Sequence, residues 1–217
     1  MPAIAEGQHP LIAPLLKETD QALLQQWQQS PEQGKYFIAL FCRYGHLVYA
    51  LLHHQAKSSL QVDYLFAKTW QLVFNGLTNL KVTEKIATDW AISTSSSLQS
   101  WIISQTAACI HQQEVPAIAN IHYSLSAAPP PLWCYLEAAL AQMPDPTRLM
   151  ILMARTFHWS ESRIAAYLQS EGEDCSVADV QTRLTEGYHL LSTLIPDDIQ
   201  AIYLESPGLE WSPNSAP

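Results

Sequence analysis

Apolar residues recur along most of the chain at the three-and-four spacing of an amphipathic helix, and no strand-like alternation persists. A short helix is predicted over 22–27. A longer one is predicted over about 31–54, with Ser30 as cap and Pro31 at its first position. Its stripe is Phe37, Ile38, Phe41, Tyr44, Val48, Leu51 and Leu52. A break at residues 55–59 precedes a helix over 60–77, with Gly76 near its end. Residues 78–96 read as a short helix near 84–90 followed by a serine-rich turn, and 97–114 as a further helix.

Residues 115–131 end in three consecutive prolines, which predict an extended linker. A helix then begins at Leu132 and stops at the MPDP turn. Asp145 is expected to cap the next, which runs to Trp159 with Pro146 at its first position, and Ser160 to cap the one after. A polar turn, EGEDC, leads into SVADVQTRLTEGYHLL, residues 176–191, opened by Ser176. A short helix is expected near 195–204 and a disordered tail beyond it. The pattern therefore predicts an all-α protein of two small helical domains joined by a proline-rich linker, the second containing a helix-turn-helix. The expected boundaries are an extension at 1–19, a first domain at 20–115, a linker at 116–131, a second domain at 132–195 and a tail at 196–217.

The 217 residues, 48% of them hydrophobic, are enough for such cores. Charge then narrows the function. Eleven basic residues face twenty acidic ones, a net charge of −9, which excludes a strongly basic nucleic-acid protein. Residues 133–195 hold four arginines against eight acidic residues, and residues 20–115 hold six of each sign. Any DNA contact needs local clustering or a partner, because an acidic chain repels phosphate. The cysteines, Cys42, Cys109, Cys134 and Cys175, form no C-x-x-C pair and read as thiols in a reducing cytoplasm. No basic leader opens the chain, and Arg43, Gly45 and His46 interrupt its most apolar run, so neither a signal peptide nor a membrane span is expected. Adjacent His53 and His54 point about 100° apart on a helix and make no metal pair. His111 and Glu114 lack further ligands nearby. With no nucleophile elbow, H-E-x-x-H pair or phosphate loop, an enzyme is not expected, and neither is a cofactor.

ALAQMPDPTRLMILMARTFHWSESRIAAYL resembles the fourth conserved region of bacterial sigma factors, through Ala139, Leu140, Met143, Pro144 and Arg148 and the Ser160-capped helix with Ile164, Ala165 and Leu168. Ser176, Val180, Arg183, Leu184 and Leu191 fall in register with that family's recognition helix. FIALFCRYGHLVYALL, VDYLFAKTWQLVFNGL and LQSWIISQTAACI resemble, in order, three segments of its second region. The resemblance covers roughly residues 20–195 and fits the short extracytoplasmic-function type. It implies a cytoplasmic transcription-initiation protein that binds RNA polymerase core and promoter DNA, and it admits a regulatory partner of the anti-sigma kind. It assigns polymerase contact to Asp63, Tyr64, Leu65, Phe66, Lys68, Thr69 and Phe74. DNA contact falls to Trp101, Gln105, Ser160, Ser176, Gln181, Thr182 and Arg183.

The departures concern charge. Tyr64, Ala67 and Lys68 replace the family's acidic and amide positions, HQQE at 111–114 replaces a run of arginines, and Gln181, Glu186 and Tyr188 stand at usually basic positions. DNA binding by the isolated chain is therefore expected to be weak. The competing expectation is a diverged sigma-like adaptor working through protein contacts alone.

Overall fold

The computed structural model describes residues 5–55, 58–80, 97–112, 116–121, 123, 125 and 128–204. Among them are nine α-helices, three short 3-10 turns and no strand. The helix expected near 84–90, the serine-rich turn that follows it and the tail beyond 204 lie outside the described residues. The chain divides into two compact units, one comprising residues up to Cys134 together with the segment from Asp197, the other Tyr135–Pro196.

In the first unit, α1 (Asp20–Gln29), α2 (Lys35–His53), α3 (Ser59–Leu77) and α4 (Leu98–Gln112) pack with α2 in the middle, touching the other three. The stripe read from the sequence is why: Phe37, Ile38, Phe41, Val48 and Leu52 are all buried. Phe37 meets the rings of Trp70 at 5.9 Å and Phe74 at 5.0 Å, both edge-on, and Phe41 meets Trp70 at 5.0 Å. These are the offset geometries that aromatic quadrupoles favour. Trp27 of α1 joins through Phe74 at 5.6 Å. The 3-10 turns at Ala5–Gln8 and Leu15–Lys17 pack on α2 and bury Ile12, so part of the expected extension belongs to the core.

Three helix starts in the first unit differ from expectation. Ser30 ends α1 rather than opening α2, and Thr19 caps α1 by accepting from the Ala22 amide at 3.2 Å. The N-terminus of α2 lies at Gly34, which has no side chain to cap it. The missing acceptor comes from Asp198, 164 residues away: one carboxylate oxygen accepts from the Gly34 amide at 3.1 Å and the other from the Lys35 amide at 2.9 Å. Asp198 also accepts from Ile199 at 2.9 Å, and so serves the first turn of its own helix, α9 (Asp197–Tyr203). That helix belongs to the first unit and not to a tail, because Ile199, Ile202 and Tyr203 form an apolar face and are buried. The third difference is α5 (Pro130–Gln142), which begins two residues before Leu132. Pro130 and Pro131 occupy its first turn, where an amide hydrogen has no intrahelical acceptor to lose.

In the second unit, α6 (Asp145–Arg155), α7 (Glu161–Ser170) and α8 (Val177–Leu194) pack pairwise. Their core is Met150, Ile151 and Met153 against Ile164, Ala165 and Leu168 and against Val180, Leu184 and Leu191. Gly187 lets α6 and α8 approach closely, since a Cβ there would stand 2.8 Å from Thr147 Cγ2 and 3.2 Å from Ile151 Cδ1. Asp145 is not the expected cap of α6; it lies inside the first turn and pairs with Arg148 at 2.5 Å. The helix also stops at Arg155 instead of running to Trp159, because His158 adopts φ +52° and the Trp159 amide turns back to the Met153 carbonyl at 3.0 Å.

Candidate protein and nucleic-acid interface

The turn between α7 and α8 is built by local rules. Ser160 caps α7, accepting from the Arg163 amide at 3.3 Å. The far end closes as a Schellman motif: Glu173 donates to Leu168 at 3.0 Å and Gly172 to Gln169 at 3.1 Å, with Gly172 at φ +91°. Only glycine takes that conformation without a Cβ penalty. Ser176 then opens α8 with a reciprocal capping box: its hydroxyl accepts from the Asp179 amide at 3.2 Å, and the Asp179 carboxylate accepts from the Ser176 amide at 2.8 Å. Hydrogen bonds from the Ser176 hydroxyl and amide hold the Asp179 carboxyl below the usual range. The two capping serines sit where the sequence predicted. The capping box also puts a carboxylate at the helix N-terminus, the position that would otherwise attract a phosphate.

The remaining candidate DNA residues of α8 are exposed, and each is engaged within the chain. The Gln181 amide donates to Glu161 at 2.5 Å, Thr182 donates to the Ala178 carbonyl at 3.0 Å, and Arg183 pairs with Glu173 at 3.5 Å. The pattern extends to all four arginines of residues 133–195. Arg148 pairs with Asp145, and Arg155 lies over the Tyr188 ring at 4.9 Å while donating to its hydroxyl at 3.1 Å. Arg163 lies over the Trp159 ring at 4.3 Å. The sequence count already showed these cations to be outnumbered; the fold gives each a local partner besides.

In the first unit, the DNA-facing expectation for Trp101 meets a packing constraint. Its indole lies against Gly76 of α3, so closely that a Cβ on Gly76 would stand 2.7 Å from Cζ2. Trp101 is thus half-buried between α3 and α4, and Gln105, one turn on, is also half-buried. Gly76 is better explained by this approach than as a helix-end signal.

The α3 residues expected to touch a polymerase fall on two faces. Leu65, Phe66 and Thr69 are at most 2% exposed and line the bundle core, so they offer no surface for contact in this fold. Phe74 also faces inward, between Trp27 and Phe37. Asp63, Tyr64 and Lys68 lie half-exposed on the outer face. Asp63 accepts from the Tyr49 hydroxyl at 3.0 Å, and burial, with this bond to a carboxylate, pushes the Tyr49 phenol up to about 12. Lys68 donates to Gln71 at 2.9 Å and lies 4.7 Å from the centroid of the Trp133 ring.

None of the four cysteines is in a disulfide; Cys109, Cys134 and Cys175 are buried, and burial pushes the Cys42 thiol up to about 12, the opposite of an activated nucleophile. Among the described residues no cluster of three His, Cys, Asp or Glu could hold a metal ion, and no helix is long and apolar enough to cross a membrane. Compared with protein-family models, with curated proteins and with solved structures, the chain gives no match.

Proposed function

We propose that this chain is a sigma-factor-like transcription-initiation protein whose action is binding alone, with RNA polymerase doing the chemistry. The observation that carries the reading is the α7–α8 pair. A serine-capped helix, a glycine-closed turn and a second serine-capped helix are packed on α6, leaving Gln181, Thr182 and Arg183 on the solvent side of α8. This supports reading the pair as a helix-turn-helix, whose second helix would be presented to a DNA major groove. Gln181 and Arg183 carry side chains able to read adenine and guanine. In the first unit, Asp63, Tyr64 and Lys68 on the outer face of α3 are the residues through which the core polymerase would be met. The test is capture of purified core polymerase by the chain, followed by promoter-dependent transcription in vitro. Binding together with transcription is expected.

One observation favours a second reading, a sigma-like adaptor that binds protein and not DNA. Every arginine of residues 133–195 has a partner within the chain, and Asp179 occupies the α8 N-terminus. Phosphate neutralisation supplies most non-specific DNA affinity, and here it would first have to break these pairings. Core binding without transcription would select the adaptor. Absence of core binding would reject both.

A further inference from the structure

Among the described residues the most exposed large apolar side chain is Phe157, 61% exposed, in the turn between α6 and α7. The turn holds it on fixed backbone: the Phe157 amide donates to the Leu152 carbonyl at 3.3 Å and the Trp159 amide to the Met153 carbonyl at 3.0 Å. The Phe157 ring meets Trp159 with centroids 6.3 Å apart, and Trp159 meets exposed Tyr167 edge-on at 5.7 Å. Arg163 lies over the Trp159 ring. Trp159, Arg163 and Tyr167 are four residues apart, so they form one row along α7 from its start. Glu161, which meets α8 through Gln181, stands about 200° around the helix from Arg163, so the row faces away from that contact. A contiguous exposed apolar cluster on ordered backbone is the mark of an interaction surface.

Charge selects the occupant. Acidic residues outnumber arginines eight to four over 133–195, and Arg148 and Arg183 are paired with carboxylates. Arg155 and Arg163, on either side of this turn, lie instead over the Tyr188 and Trp159 rings. Among the described residues Arg163 has no ion pair. A guanidinium stacked by its face keeps its N–H edge outward, where it matches a carboxylate through two parallel hydrogen bonds. A strand of bases fits less well. Base stacking needs open ring faces, whereas these rings lean on one another at an angle and Arg163 already covers Trp159. A phosphate backbone would also meet the surrounding excess of carboxylates along its whole length, whereas a single carboxylate need meet only the guanidinium. We propose that this row is a docking site for a short acidic, apolar segment of another protein. An aromatic or aliphatic side chain of that segment packs on Phe157 beside Trp159, and a neighbouring carboxylate takes the Arg163 guanidinium. Trp, Tyr and Arg are the residue types that most often dominate such contacts. Occupancy of the row depends on neither DNA nor polymerase binding.

The test selects short peptides from a random display library on the full-length chain. Synthetic copies are then measured by fluorescence anisotropy against wild type, Phe157→Ser and Arg163→Glu. Both positions are exposed, so both variants should fold, which circular dichroism checks; Arg163→Gln, which loses the charge and keeps the stem, serves if Arg163→Glu does not. The expected peptides place Asp or Glu beside Trp, Phe or Leu, and each variant binds them about five- to thirtyfold more weakly. A selection without that acidic–apolar pattern overturns the site, and so do peptides that bind the folded variants as tightly as wild type. Two further measurements use the same variants. Oligothymidylate bound through Phe157 in place of peptide would make the row a nucleic-acid platform. Self-association by sedimentation that is lost in Phe157→Ser would make it a face between copies of this chain. Either result overturns the proposal.

Discussion

Asp198 caps a helix that begins at Gly34, on the far side of the sequence. Its carboxylate supplies the acceptor that glycine lacks and places negative charge at the positive end of α2. Asp198→Ala leaves the Gly34 and Lys35 amides unpaired and should destabilise the first unit by about 1–2 kcal/mol. Hydrogen exchange should accelerate at Gly34 and Lys35 and throughout 197–203, with the amides of α7 and α8 unchanged. Unaltered exchange at Gly34 would show that water replaces the carboxylate without loss.

The contact at the other end of α9 is pH-sensitive. Tyr203 donates to Glu6 at 3.1 Å, and burial raises the Glu6 carboxyl above its ordinary value of 4.5 despite that bond. A carboxyl raised by folding binds its proton more tightly in the folded chain. Its contribution is complete below about 4.5 and is lost as pH rises through the folded value. Glu6→Gln, which keeps an acceptor for Tyr203, should therefore raise the melting temperature at pH 7 and change it little at pH 4. Thermal unfolding of both proteins across that range checks the sign.

The close approach of α6 and α8 rests on Gly187. Gly187→Ala drives a methyl into Thr147 and Ile151, at an expected cost of about 1–3 kcal/mol, because a β-branched neighbour cannot swing away. Thr147→Ala in the same chain removes the nearest methyl and should recover a large part of the loss. Chemical denaturation of the single and double variants measures the coupling.

The pairing of Arg183 with Glu173 is exposed and long at 3.5 Å, so it contributes little to stability. Glu173→Gln should leave unfolding unchanged within about 0.5 kcal/mol. If α8 meets DNA, the same change releases Arg183 for phosphate, strengthening promoter binding and steepening its salt dependence by about one unit. Arg183→Ala should then abolish that gain. Indifference of DNA binding to both changes would make α8 a scaffold.

How far the sequence led depends on where each cause lies. The caps of α7 and α8 were readable because Ser160 and Ser176 bond amides three residues on. The core stripe of α2 was readable because helical period is local. The start of α2 was not, since Ser30 and Pro31 offer a plausible local cap while the actual one comes from Asp198. The end of α6 was missed because His158 turns the chain through a conformation that no glycine announced. For the candidate site, the residue types of α8 were visible in advance. Their partners were not, since Glu161 meets Gln181 across twenty positions and Glu173 meets Arg183 across a turn. Similarly, family-like register put Leu65, Phe66 and Thr69 in a docking set, whereas the helix turns them toward Phe41, Trp70 and the rest of the core.

The return of α9 to the first unit orders the protein's own synthesis. Residues 135–196, whose helices pack with near neighbours in sequence, can fold as soon as they are made. The earlier-made bundle receives its last contacts only afterwards. Its α2 start is uncapped, and Glu6 lacks the Tyr203 hydroxyl, until Asp198 and Tyr203 have been translated. A released chain ending before residue 197 would thus carry every helix of the second unit, while the first would lack the Asp198 cap and the Tyr203 contact.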